Sequence, residues 1–209
     1  MPGPKAVVFD LGKVLVDFDY SIVGRRIAAR GKMSAPEVQK FFDHSPLLVR
    51  FETGPMSQEQ FFAEVQSATG FDGTLDEFTG FFADIFSPIQ PMLKLHAALR
   101  QRGVPTYVFS NTNELAVGHI RKNFPFFSQF NGYVCSYEHG AMKPNAKLYE
   151  VLERTSRLCG SELLYLDDRP ENVAAGEARG WQAVLHESAE KSHNAVVASG
   201  LLGGALIGG

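Results

Sequence analysis

The chain lacks several features that would place it in a specialised class. Only two of its 209 residues are cysteine, Cys135 and Cys159, and they stand in no C-x-x-C spacing. A chain long enough to bury a sizeable core has no need of covalent staples, so a reducing compartment is expected. No charge of one sign dominates: twenty Lys and Arg against twenty-three Asp and Glu leave a net −3. That excludes the broad positive field which holds nucleic acid or an anionic membrane. Long apolar runs are missing too. Ala6–Phe9 is too short for the apolar region of a signal peptide and stops at Asp10. The last sixteen residues, 194–209, are apolar but contain five glycines and fall short of the ~20 residues that span a bilayer. Neither nucleic acid nor membrane is an expected partner, and the cytoplasm is the expected location.

What is present is an alternation. Ala6–Phe9, 104–109, Tyr133–Cys135, 163–166 and Gln182–Leu185 are short apolar runs, several rich in β-branched residues and several set off by Gly turns, as in strands buried on both faces of a parallel sheet. Between them, 92–100, 115–122 and 146–154 carry helical spacing, the last two after Asn113 and Asn145 as caps. The pattern predicts an α/β fold, a Rossmann-like doubly wound parallel sheet, built from residues 1–16 and 89–193. Residues 17–88 break the rhythm with helical periodicity and no strand pattern, which predicts an inserted helical cap. Eleven of the seventeen phenylalanines lie there, and their expected place is the core of that unit, with a few at a substrate mouth. Residues 194–209 are expected to form a glycine-rich tail.

In open α/β sheets ligands bind beyond the carboxyl ends of the strands, so the polar residues just after each apolar run are collected first. They are Asp10, Ser110 with Asn111, Lys143, and Asp167 with Asp168. Singly, each reads as a helix cap, a turn or a solvated surface group. Together, three carboxylates, one ammonium and two neutral donors suit a hard cation beside a phosphate.

Val8-Phe9-Asp10-Leu11-Gly12-Lys13-Val14-Leu15 resembles the first motif of the haloacid dehalogenase-like hydrolases. Val108-Phe109-Ser110-Asn111-Thr112, Ser136 to Pro144 with Tyr149, and Leu166-Asp167-Asp168-Arg169-Pro170-Glu171-Asn172 resemble the second, third and fourth. Phe51-Glu52-Thr53-Gly54 followed by Ser57 is similar to cap sequences of bacterial sugar-phosphate phosphatases, notably those acting on glucose 1-phosphate. The resemblance implies a phosphomonoester hydrolase acting on a small phosphorylated metabolite. It implies Asp10 as nucleophile, Ser110 and the Asn111 backbone as phosphate ligands, and Lys143 as the balancing charge. Mg²⁺ would be held by Asp10, the Gly12 carbonyl and one of Asp167 and Asp168, with Asp168 favoured and Asp167 acting through water.

One position departs from that pattern. Most phosphatases of the family carry a second Asp two residues after the nucleophile as acid and base, and here the residue is Gly12. Such a group contributes ~10²–10⁴-fold, so substrates with good leaving groups are favoured. A non-catalytic or weakly active phosphate-binding relative is the alternative. A haloacid dehalogenase also dispenses with the acid but has no use for the Asp167-Asp168 pair. His139 and His44 are candidate replacements for the acid, and Lys13 either faces the phosphate or points into the cap linker. Arg25, Arg26, Arg50 and Glu52 are the cap residues most able to meet a polar substrate.

Overall fold

The computed structural model describes residues 3–44, 46–83 and 85–203. The chain opens with β1 (Ala6–Phe9), whose four side chains are wholly buried, as the centre of a parallel sheet requires. A tight turn leads to β2 (Val16–Phe18), then to the helices α1 (Tyr20–Ala28), α2 (Ala35–His44), α3 (Pro46–Glu52), α4 (Gln58–Thr69) and α5 (Leu75–Ala83). After β3 (Phe86–Pro88) come α6 (Gln90–Gln101), β4 (Thr106–Ser110), α7 (Glu114–Asn123), β5 (Gly132–Cys135), a 3₁₀ turn at Ser136–Glu138 and α8 (Ala146–Ser156). The chain then runs through β6 (Leu163–Asp167), α9 (Pro170–Ala178), β7 (Gln182–Leu185) and α10 (Ala189–Ala198).

The strands make a parallel sheet in the order β5-β4-β1-β6-β7, with Val8 opposite Tyr107 on one side and Tyr165 on the other. Side chains alternate between its faces. Val7 and Phe9 join Leu95, Leu99, Val117 and Val196 from α6, α7 and α10, whereas Ala6 and Val8 join Leu148, Leu152 and Trp181 on the opposite face. Helices therefore cover both faces, which is the doubly wound arrangement. The chain winds outward through β4 and β5 and returns to place β6 beside β1, so the strand order reverses between β1 and β6. The crevice at that reversal is where such sheets bind ligands.

β2 and β3 pair antiparallel, Val16 opposite Pro88 and Phe18 opposite Phe86, and this ribbon joins the helical cap to the sheet. The sequence shows no strand pattern here because three residues are too few to display a period of two. Phe42, Phe51, Phe61, Phe71 and Phe78 are buried in the cap, with Phe51 and Phe61 stacked at 4.3 Å. Each such ring contributes about 1.5–3 kcal/mol by leaving water, so these phenylalanines build the cap. The Phe82 side chain lies outside the described residues. Leu115 of α7 belongs to the same cluster, so the cap core is continuous with a helix of the sheet domain.

The expected tail begins too early. Asn194 to Ala198 are the second half of α10, which Ser188 caps by accepting from the Lys191 N–H, and Val196 and Leu202 are buried against the sheet. The glycines beyond masked that helix in the sequence. Residues 204–209 lie outside the described set. Among the described residues no helix is long and apolar enough to cross a membrane.

Candidate active site

β1 ends by carrying Asp10 into the crevice, where its N–H donates to the Leu166 carbonyl at 2.9 Å. Its Oδ1 accepts from the Leu11 N–H at 2.6 Å and lies 3.1 Å from Lys143 Nζ. The Lys143 ammonium also donates to Asp167 Oδ2 at 2.6 Å and to the Phe109 carbonyl at 2.8 Å. Its three hydrogens are thereby committed, and the rings of Phe109 and Tyr165 flank it at 5.1 and 5.8 Å. Asn111 holds this loop in place: its Oδ1 accepts from the Lys143 N–H at 2.7 Å and its Nδ2 donates to the Lys143 carbonyl at 2.9 Å.

The two neighbouring aspartates differ in kind. Asp167 is fully buried, and both its oxygens are occupied. Oδ2 accepts from Lys143 and the Tyr165 hydroxyl, and Oδ1 accepts from the Arg169 N–H at 2.8 Å and Asn172 Nδ2 at 3.0 Å. The Asp168 carboxylate has no hydrogen bond or ion pair among the described residues and opens to the crevice. Oxygens of Asp10, Asp167 and Asp168 all lie within 4.8 Å of one another.

Three carboxylates around one ammonium leave the cluster short of positive charge. Burial pushes the Asp10 carboxyl up to about 7, against the pull of Lys143 and with repulsion from Asp167 and Asp168 added. Burial would raise Asp167 as well, but the charge and hydrogen bond of Lys143 hold it below the usual carboxylate range. Burial opposes the charge on Lys143, yet Asp10 and Asp167 keep the ammonium above the ordinary lysine value. Hard oxygen donors with excess negative charge suit a divalent cation. The backbone beside them fits too. Residues 11–16 close on themselves through Lys13 N–H to Val16 carbonyl and Val16 N–H to Leu11 carbonyl, and neither bond uses the carbonyl of Gly12.

These residues line a cavity of about 350 Å³ between the sheet and the cap. Asp10, Gly12, Ser110, Asn111, Lys143 and Asp168 reach it, and Asp167 supports it from below. From the cap, Glu52 reaches it. Arg50 does not: it forms an exposed ion pair with Glu64 at 3.1 Å. Nor does His139, whose N–H closes the 3₁₀ turn onto the Ser136 carbonyl and whose side chain is not part of the cavity wall. Arg25 donates to Ser21 at 2.8 Å and Arg26 lies over Phe81 at 5.6 Å, both within the cap. Lys13 turns to Asp17 at 2.5 Å and the Phe18 carbonyl at 3.0 Å, into the cap linker. The His44 side chain lies outside the described residues. A long cap side chain that finds a partner on its own helices has no reason to cross the crevice, and sequence spacing does not show those partners.

Several contributors escaped the sequence reading. Tyr165 shares a strand face with Asp167, two residues away, so the period of β6 could have found it. Ser136 could not be found that way. Its hydroxyl accepts from the Thr112 N–H at 2.9 Å and lies 2.6 Å from the Glu52 carbonyl and 3.0 Å from that of Thr112, tying the cap to the site loop. Phe18 and Tyr20, which form part of the wall on the cap side, carry no motif at all.

The chain is similar to known proteins over most of its length. The model of a family described as haloacid dehalogenase-like hydrolase matches residues 4–180. A D-ribitol-5-phosphate phosphatase from Bacteroides thetaiotaomicron is 25% identical over 193 residues, covering 88% of this chain and 92% of that protein. A sesquiterpene phosphatase from Aspergillus oryzae is 24% identical over 179 residues, covering 84% and 86%. Among solved structures, a family enzyme from Bacteroides thetaiotaomicron in complex with magnesium and inorganic phosphate superposes with a TM-score of 0.77 at 20% identity, covering 88% of this chain and 94% of that one.

Proposed function

The chain belongs to the haloacid dehalogenase-like hydrolases, and from that premise we propose that it is a magnesium-dependent phosphomonoesterase that works through an aspartyl-phosphate on Asp10. The observation that carries this reading is the buried Lys143 ammonium between Asp10 and Asp167, 3.1 and 2.6 Å away, beside Asp168, which has no partner among the described residues. Asp10 Oδ attacks phosphorus and the bond to the leaving alcohol breaks. Water then opens the acyl phosphate, releasing inorganic phosphate and returning Asp10. Ser110 and the backbone of Asn111 bind the phosphoryl oxygens, since the Asn111 amide is already committed to Lys143. Lys143 keeps Asp10 charged and steadies the transferring group.

Asp10, the Gly12 carbonyl and Asp168 would hold the magnesium ion, and Asp167, already saturated with protein donors, would reach it through water. When bound, the ion supplies the positive charge that offsets repulsion between an anionic nucleophile and an anionic phosphate. The cavity volume and its mixed wall suit a small phosphorylated metabolite such as a sugar phosphate, and the names of the two phosphatase relatives support a phosphate ester of a small alcohol.

The test is phosphate release from sugar 1-phosphates, sugar 6-phosphates, nucleotides and acyl phosphates, with magnesium and with a chelator. Activity should require the metal and should fall by more than about 10⁴-fold in Asp10→Asn, the order of loss seen when a nucleophile is removed. A variant that keeps most of the wild-type rate would end this assignment.

A further inference from the structure

Gly12 leaves open where the leaving alcohol obtains its proton. A Cβ at position 12 would stand 2.8 Å from Cε1 of Phe18, so a side chain there would require that ring to shift. That ring is held at 5.2 Å from Tyr20 and lies under the Lys13 ammonium at 4.5 Å. The donor must therefore come from another wall of the cavity.

The carboxyl groups that reach the cavity are those of Asp10, Asp168, Glu171 and Glu52. The first two are the proposed nucleophile and metal ligand. Glu171 is paired with Arg169 at 2.5 Å, and backbone and side-chain hydrogen bonds hold it below the usual range. Among other groups, Lys143 has no free hydrogen, Lys13 lines the cavity but its ammonium is bonded to Asp17 and the Phe18 carbonyl, and burial raises the Tyr20 phenol further above its ordinary value. Glu52 remains, and its carboxyl has no hydrogen bond or ion pair among the described residues.

Its position is fixed by the core. Ser136 Oγ holds the Glu52 carbonyl at 2.6 Å, and two residues on Gly54, at φ +83°, presses against the Tyr137 carbonyl so closely that no side chain would fit. In-line displacement puts the leaving oxygen on the side of phosphorus away from the nucleophile. Asp10 attacks from the end of the sheet, so that oxygen faces the cap, where Glu52 stands.

We propose that Glu52 protonates the leaving alcohol, supplying from the cap the acid that residue 12 lacks; this rests on the phosphatase reading above. As the Asp10 Oδ–phosphorus bond forms and the phosphorus–oxygen bond of the ester breaks, the Glu52 O–H proton passes to the departing oxygen. The resulting carboxylate then takes a proton from the water that attacks the acyl phosphate, which restores both groups. Burial pushes the Glu52 carboxyl up to about 7, so both protonation states are populated near neutral pH.

The test compares wild type, Glu52→Gln and Asp10→Asn on n-butyl phosphate and p-nitrophenyl phosphate, with kcat/KM as the readout because it ends at the first irreversible step. Glu52→Gln is expected to lose about 100-fold or more on the alkyl ester, within the ~10²–10⁴-fold range of a general acid, and less than about threefold on the aryl ester, whose leaving group needs no proton. Inhibition by inorganic phosphate should stay within about twofold of wild type, since uniform binding is not what is lost. Equal losses on the two esters, no loss on the butyl ester, or a loss matched by weaker phosphate inhibition would each overturn the proposal. Failure of the phosphatase reading looks different: Asp10→Asn would hydrolyse both esters as wild type does, or wild type would hydrolyse neither.

Discussion

The sheet domain and the cap use their polar residues in opposite ways. Beyond β1 and β5 and at the end of β6, buried charged side chains are bonded to one another, so that Lys143, Asp10, Asp167, Tyr165 and Asn172 form one continuous network. In the cap the buried layer is apolar, phenylalanines packed with aliphatic side chains, and the ion pairs lie at the surface, as Arg30 with Asp72 and Glu77 and Arg50 with Glu64 show. The sheet domain thus holds its charged groups in one bonded frame, whereas the cap spends most of its sequence on packing and touches the cavity through a few side chains. Glu52 links them: its partly buried carboxyl has no hydrogen bond or ion pair among the described residues, and its backbone is bonded to the core.

The largest effect is expected in the network itself. Lys143→Ala leaves two buried carboxylates without their cation, which should lower the unfolding free energy by about 3–5 kcal/mol in urea titrations. It should also reduce kcat more than tenfold, since lost charge stabilisation in such a site is commonly worth ~2.7–4 kcal/mol. A variant as stable and active as wild type would remove the contrast between the two regions.

Glu52 should behave as part of the network in a pH series, although it belongs to the cap. Its folded pKa is raised from 4.5 to about 7 by burial. Its contribution to stability is therefore fully present below its unfolded value and lost as pH rises through about 7. At ~1.36 kcal/mol per pKa unit, the stability difference between Glu52→Gln and wild type should move in favour of the variant by roughly 3 kcal/mol between pH 4 and pH 8 in metal-free protein. Parallel stability curves would show that the carboxyl is freely solvated.

The docking of cap on core is open to a milder perturbation at Gly54. Alanine there meets both a left-handed backbone and the Tyr137 carbonyl, and should cost about 1–3 kcal/mol in thermal or chemical unfolding. Because the strain falls beside Glu52, kcat/KM on alkyl esters should fall as well. Stability lost without any change in turnover would separate the loop from the chemistry.

The smallest effect belongs to Arg50→Ala. Its ion pair with Glu64 is about half exposed on both sides, and such pairs contribute about 0–1 kcal/mol. Stability should change within that range and steady-state kinetics should not change. A marked rise in KM would bring Arg50 back into the substrate site.

Much of the sheet domain was legible because its signals are local. A buried parallel strand is an uninterrupted apolar run, and the residue that ends it, Asp10 after Phe9 or Asp167 after Leu166, stands at the ligand-binding edge by topology alone. The cap ribbon was not legible, because three-residue strands such as Val16–Phe18 show no period. Helix α10 was hidden by the glycines that follow it.

The α/β architecture, the residues at the strand ends and the missing acid at position 12 can all be read along the chain. Tertiary structure alone decided that Phe18 fills the space beside Gly12, that Asp167 is saturated while Asp168 is open, and that of the cap's charged candidates Glu52 faces the cavity while Arg50 faces Glu64. The reason is physical. Backbone periodicity is set by neighbours along the chain, but the partner that satisfies or spares a polar side chain comes from segments dozens of residues away, as the Glu52 carbonyl does for the Ser136 hydroxyl across 84 residues.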